Sequence, residues 1–164
     1  MTKPMDYDPA AGNRFHHFCR VVELHRRRAP WHEIAEVLLA VRRLRGREAT
    51  GDMHESGFEQ EVNAATGLTK SDMARMMATL ERVEFFAGGW HPKNLLSDDM
   101  TAVELGARIA WHDPDAGRRA LLELKEGKVD RAGLRARLSA FETPGEKPDP
   151  LGPYEIDPTP PGPR

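Results

Sequence analysis

Residues 58–86 read FEQEVNAATGLTKSDMARMMATLERVEFF, and the fold turns on how this stretch is parsed. In its first third, Phe58, Val62 and Ala65 fall at i, i+4 and i+7, one face of a helix. Gly67 then supplies the residue that most readily takes the left-handed conformation closing a helix. Leu68 can plug the corner. Thr69 is positioned to cap the next helix, with Asp72 three residues on at its positive end. Beyond it, Met73, Met76, Met77, Leu80 and Val83 form an apolar stripe, with Lys70, Ser71, Ala74, Arg75, Thr79 and Arg82 expected on the outer side. A short helix, a glycine corner and an amphipathic helix make a helix-turn-helix.

Within it, ATGLTKSDMARMMATLERVEFF resembles the recognition half of winged helix-turn-helix regulators of the IclR type. There a similar A-T-G-L-x-K-S segment precedes a helix ending in R-x-x-A-T-L-E. The resemblance covers about thirty residues, less than a fifth of the chain. It implies duplex DNA as the partner and a wing after the second helix. Asn63 departs from the family pattern, which has alanine where the two helices touch. AGGW at 87–90 can turn a hairpin, but HPKNLLSDDM lacks the alternation of wing strands.

Outward from this unit, the chain reads as helices. Phe15, Phe18, Cys19 and Val22 share a face of a helix over 13–28, which finishes in Arg26, Arg27 and Arg28 and is stopped by Pro30. Ile34, Val37, Leu38, Val41 and Leu44 mark a helix over 31–47, with Arg42, Arg43, Arg45 and Arg47 on its outer face. Residues 48–57 read as a loop. Ser97 or Asp98 is expected to cap a helix to about Trp111, and Asp113-Pro114 opens another, ended by Gly127. Asp130 caps a last helix with Leu134, Leu138 and Phe141 on one side. The expected fold class is all-α, with at most a small β-wing.

The expected organisation is a flexible arm over 1–12, one helical domain over 13–141, and a disordered tail over 142–164. That tail holds eight of the thirteen prolines and almost no large apolar groups, too little to offset its ordering entropy. Within it, LGPYEIDP is a candidate docking motif for a protein partner. At 164 residues the chain is long enough for one well-buried domain.

Formal net charge is −2, but its distribution is uneven. Residues 11–50 hold nine Arg against four Glu, whereas 51–141 hold twelve basic and fifteen acidic residues. A basic front half suits a nucleic-acid surface. Cys19 is the only cysteine, so no intramolecular disulfide is possible. No uncharged run approaches a membrane span and no apolar leader opens the chain, so a cytoplasmic protein is expected.

Other chemistry is poorly served. His16, Cys19 and Glu23 can share a helical face, but no fourth ligand completes a metal site. No phosphate loop, nucleophile elbow or H-E-x-x-H motif is present, so neither catalysis nor a cofactor is expected. The three Trp-His pairs, at 31–32, 90–91 and 111–112, sit at element boundaries without flanking repeats.

The sequence therefore points to a DNA-binding regulator acting on duplex DNA. Its expected reading residues are Thr69, Lys70, Ser71, Arg75 and Arg82. The arginines at 26–28, 42, 43, 45 and 47 would straddle the phosphate backbone. A homodimer is expected, with Leu134, Leu138 and Phe141 offering a dimer face. The alternative is a helical adaptor or accessory factor that binds a protein.

Overall fold

The computed structural model describes residues 6–47 and 57–142. Most of the expected loop at 48–57 and residues 143–164 of the expected tail, including LGPYEIDP, lie outside the described residues. Seven α-helices and one 3-10 turn are present among the described residues, with no strand. The protein is all-α. The chain divides into two compact units, Met1–Met77 and Ala78–Arg164, where the sequence suggested one domain over 13–141.

The first unit contains α1 (Arg14–Arg26), α2 (Trp31–Arg47), α3 (Phe58–Thr66) and the opening turns of α4 (Lys70–Phe86). The Asn13 side chain caps α1 by accepting from the Phe15 amide. At the other end Arg28 takes φ 56°, a left-handed conformation that side chains other than glycine rarely adopt. Two bonds hold it there: the Arg28 amide donates to His25 O at 3.1 Å and the Ala29 amide to Leu24 O at 2.9 Å. Pro30 then starts the chain in a new direction, and α2 returns along α1.

The buried face of α1 differs from the expected one. His17, Val21 and Leu24 are buried, whereas Phe15 is 66% exposed and Phe18, Cys19 and Val22 are half-buried. The physical reason is the arm. His17 is buried with both ring nitrogens satisfied: Nε2 donates to Ala11 O at 2.6 Å, and Nδ1 accepts from the Tyr7 hydroxyl at 2.8 Å. The Asp8 amide donates to His16 Nε2 at 2.9 Å, and the Arg20 guanidinium sits 5.5 Å over the Tyr7 ring. Residues 6–12, read from sequence as loose, are thus strapped to α1.

In the second unit, α4 ends at Phe86 and residues 87–99 form a glycine turn and the 3-10 turn Pro92–Leu95. No wing follows α4. His91 caps the 3-10 turn by accepting from the Lys93 amide at 3.2 Å, and Leu95 and Leu96 are buried beneath it. Three helices complete the unit, α5 (Met100–His112), α6 (Pro114–Lys125) and α7 (Arg131–Phe141).

Asp99, rather than Ser97 or Asp98, caps α5 by accepting from the Ala102 amide at 3.2 Å. Arg131 donates to both oxygens of the same carboxylate, at 2.8 and 2.9 Å, fastening the start of α7 to the start of α5. That guanidinium, aided by the backbone amides, holds the Asp99 carboxyl below the usual carboxylate range. Ala102, Leu105, Ile109, Ala120, Leu134 and Leu138 form the core between the three helices. Burying each large aliphatic contributes about 1.5–3 kcal/mol. Phe141, expected on one side with Leu134 and Leu138, is 38% exposed and stacks on His112 at 6.0 Å.

Candidate nucleic-acid interface

The corner between α3 and α4 is built from local chemistry. Gly67 takes φ 84°, and its amide donates to Asn63 O at 2.8 Å. The Thr66 hydroxyl donates to Val62 O and accepts from the Leu68 amide, taking up the next polar groups. Asn63 Nδ2 reaches across and donates to Leu68 O at 2.8 Å. At the start of α4 the bonding is reciprocal. The Thr69 amide donates to Asp72 Oδ2 at 2.9 Å, and the Asp72 amide donates to Thr69 Oγ1 at 3.0 Å. The Thr69 amide and hydroxyl together hold the Asp72 carboxyl below its ordinary range.

This corner fixes which residues of α4 reach solvent. Thr69, Lys70 and Ser71 are exposed, and Arg75 is half-buried. From Met73 onward the helix is buried nearly all round: Met73, Ala74, Met76, Met77, Ala78, Thr79, Leu80, Arg82 and Val83 all lie inside. Arg82, expected to read DNA, is 4% exposed and is removed from the candidate site. The expected outer face at Ala74 and Thr79 fails for the same reason. The helix is covered along that side and reaches solvent again only in its last turn, at Glu84 and Phe85. In α3, Phe58 and Val62 are buried as expected, whereas Ala65 is exposed.

Three residues of α3 complete the site, of which the sequence singled out only Asn63, and for another reason. Glu59, Gln60 and Asn63 lie on one face of α3 and line a groove of about 220 Å³ with Thr69 and Lys70. Their spacing, i, i+1 and i+4, was the available signal. It gains meaning only once the corner folds α4 back toward that face.

The arginines divide between two ends. Arg45 donates through both terminal nitrogens to the Glu59 carboxylate, at 3.0 and 3.3 Å, with its guanidinium carbon 6.0 Å over the Phe58 ring. Arg14, at the start of α1, donates to Glu61 at 2.9 Å. The beginning of α1 and the end of α2 therefore both meet the first turn of α3. Arg42 is half-buried and Arg43 exposed at the same end of α2. The Arg47 side chain lies outside the described residues. Arg26, Arg27 and Arg28 are exposed at the far end of α1, about 18 Å along the helix from Arg14. The expected pair of clusters flanking one reading helix does not form: the α2 arginines adjoin the groove and the α1 arginines do not. Arg27 instead lies 4.0 Å from Glu23 of its own helix.

The proposed dimer face is also corrected. Leu134 and Leu138 are 0% and 5% exposed within the second unit's core and present nothing to a second copy. Among the described residues no group of three or more metal-ligating side chains is present, and no helix is long and apolar enough to cross a membrane. Compared with protein-family models, curated proteins and solved structures, the chain gives no match.

Proposed function

We propose that the chain binds duplex DNA, with Thr69, Lys70 and Ser71 meeting base edges at the mouth of the major groove. Arg75 and the Arg42–Arg43 end of α2 would contact phosphates on either side. The observation that carries this reading is the corner at Gly67. It presents an exposed lysine and two hydroxyls at the positive end of a 17-residue helix whose body is buried. The half-sites of such modules commonly lie about one helical turn apart under a two-fold dimer, which stoichiometry on DNA would report.

The test is retention on duplex DNA as salt rises. A phosphate-contacting site loses affinity with a log–log slope of about −0.9 for each phosphate neutralised. Several such contacts are expected, and Lys70→Ala with Ser71→Ala should abolish preference among sequences. Weak retention that is flat in salt would overturn the proposal.

A second reading, a protein-binding adaptor, is favoured by one feature. Glu59 lines the groove and Asp72 is bonded to Thr69 at its edge, and both repel phosphate, so a basic partner surface suits it. Flat salt dependence on DNA with retention by a basic partner would select this reading.

A further inference from the structure

Glu59 is a carboxylate in the wall of a groove assigned to a polyanion, and its place there calls for a cause. A first-turn acid stabilises the helix dipole, and Glu61 in the same turn does so too. The dipole explains an acid in α3 but not its position. Glu61 makes one bond to Arg14, is 45% exposed and takes no part in the groove. Glu59 is 23% exposed, engages both terminal nitrogens of Arg45 and lines the groove beside Lys70 and Thr69.

Resting on the DNA reading above, we propose that Glu59 sets the selectivity of this interface by holding Arg45 away from phosphate. With the pair closed, the guanidinium contributes no net charge to the groove rim, and an approaching phosphate meets a carboxylate first. Non-specific attraction is thereby reduced at this rim, since phosphate contact carries no sequence information. Contacts of Lys70, Ser71 and Thr69 with base edges are left to decide between sites. Selectivity of this kind is a difference of affinities, gained by weakening the wrong complex rather than tightening the right one. The pair is also accessible enough to exchange: both side chains are about a fifth exposed, 22% and 23%.

The experiment uses the full chain and two probes: duplexes enriched from a random pool by the wild-type protein, and unselected duplex. Glu59→Gln should steepen the salt slope on unselected duplex by about 0.9, one further phosphate contact. Its affinity there should gain about threefold for each fourfold fall in salt, and the ratio of selected to unselected binding should fall. The double variant Glu59→Gln with Arg45→Gln should lose that gain, because the guanidinium that makes the added contact is then absent. Glu59→Asp, which keeps the charge on a shorter arm, gives a smaller change in the same direction if the glutamine variant does not fold. An unchanged slope and ratio in Glu59→Gln, with the wild type bound to DNA, would overturn the role of Glu59 alone. A gain that persists in the double variant would overturn the role of Arg45. A wild-type chain that ignores DNA would overturn the DNA reading and this inference with it.

Discussion

The side-chain amide of Asn63 donates to the backbone carbonyl of Leu68 at 2.8 Å, closing the corner that separates α3 from α4. The bond takes up a carbonyl of the linker between the two helices, which no helix turn would satisfy. Asn63, a departure from the alanine of the resembled pattern, is thus part of how this corner is made.

Gly67 bears the conformational load. A Cβ there meets nothing within 4 Å, so the cost of Gly67→Ala is confined to the backbone at φ 84°. We expect a loss of about 1–2 kcal/mol, read as a shifted urea midpoint with unchanged m-value. Asn63→Ala should cost less than about 1 kcal/mol, because the lost hydrogen bond is offset by the better helix propensity of alanine. An equal or larger loss for Asn63→Ala would reverse this ranking.

A different kind of glycine holds the second unit together. A Cβ on Gly117 would lie 2.2 Å from Ala110 Cβ and 2.4 Å from Ala110 Cα, so α5 and α6 touch backbone to backbone there. No rotamer change can relieve contact with main chain, unlike Gly106, whose added methyl would meet the movable end of Leu121. Gly117→Ala should therefore destabilise by about 1–3 kcal/mol or more and widen the interhelical spacing. Thermal unfolding followed by helical circular dichroism checks it, and a melting temperature within 1–2 °C of wild type would contradict it.

Arg82 and Lys70 separate stability from binding. Arg82→Ala removes a buried side chain, stem included, and should cost at least about 2 kcal/mol while the folded fraction keeps its DNA slope. Lys70→Ala, at an exposed position, should leave stability within about 0.5 kcal/mol and reduce the salt slope. Equilibrium unfolding beside DNA retention measures both, and an Arg82 variant that is stable but fails to bind would restore Arg82 to the reading surface.

The strap over α1 makes stability depend on pH from both sides. Burial lowers the His17 pKa below 6.5, opposed by its bond to Ala11. Above pH 6.5 its contribution is fully present, and it is lost as pH falls from there through the folded value. Burial raises the Tyr7 pKa to about 12, opposed by Arg20 and aided by Asp8 and Glu36. That contribution is present below pH 10 and is lost as pH rises from there toward 12. Urea midpoints across pH should fall on both flanks, the acid flank flattening in His17→Gln and the alkaline flank in Tyr7→Phe. A pH-independent difference between wild type and His17→Gln would remove the histidine from this account.

Much of the fold was legible because local chemistry is written in adjacent residues. The α2 stripe, the Gly67 turn, the Thr69–Asp72 cap and the Asp113-Pro114 start all depend on neighbours within four positions. The faces were less legible. On α1 the sequence favoured Phe15 and Phe18, but burial went to His17, because Tyr7 and Ala11 supply hydrogen bonds that periodicity does not register. On α4 the polar-looking Thr79 and Arg82 are inside, because a helix enclosed on several sides buries more than its apolar stripe.

By itself the sequence determined a helical chain, with a small β-wing left open, a glycine corner at 67 and an exposed Lys70, since capping, turn conformation and propensity are short-range. Only the tertiary structure decided that Glu59 meets Arg45, that the start of α1 rather than its Arg26–Arg28 end meets α3, and that Arg82 is enclosed. Those outcomes depend on which helix ends come together, and that is set by packing between residues far apart in the chain.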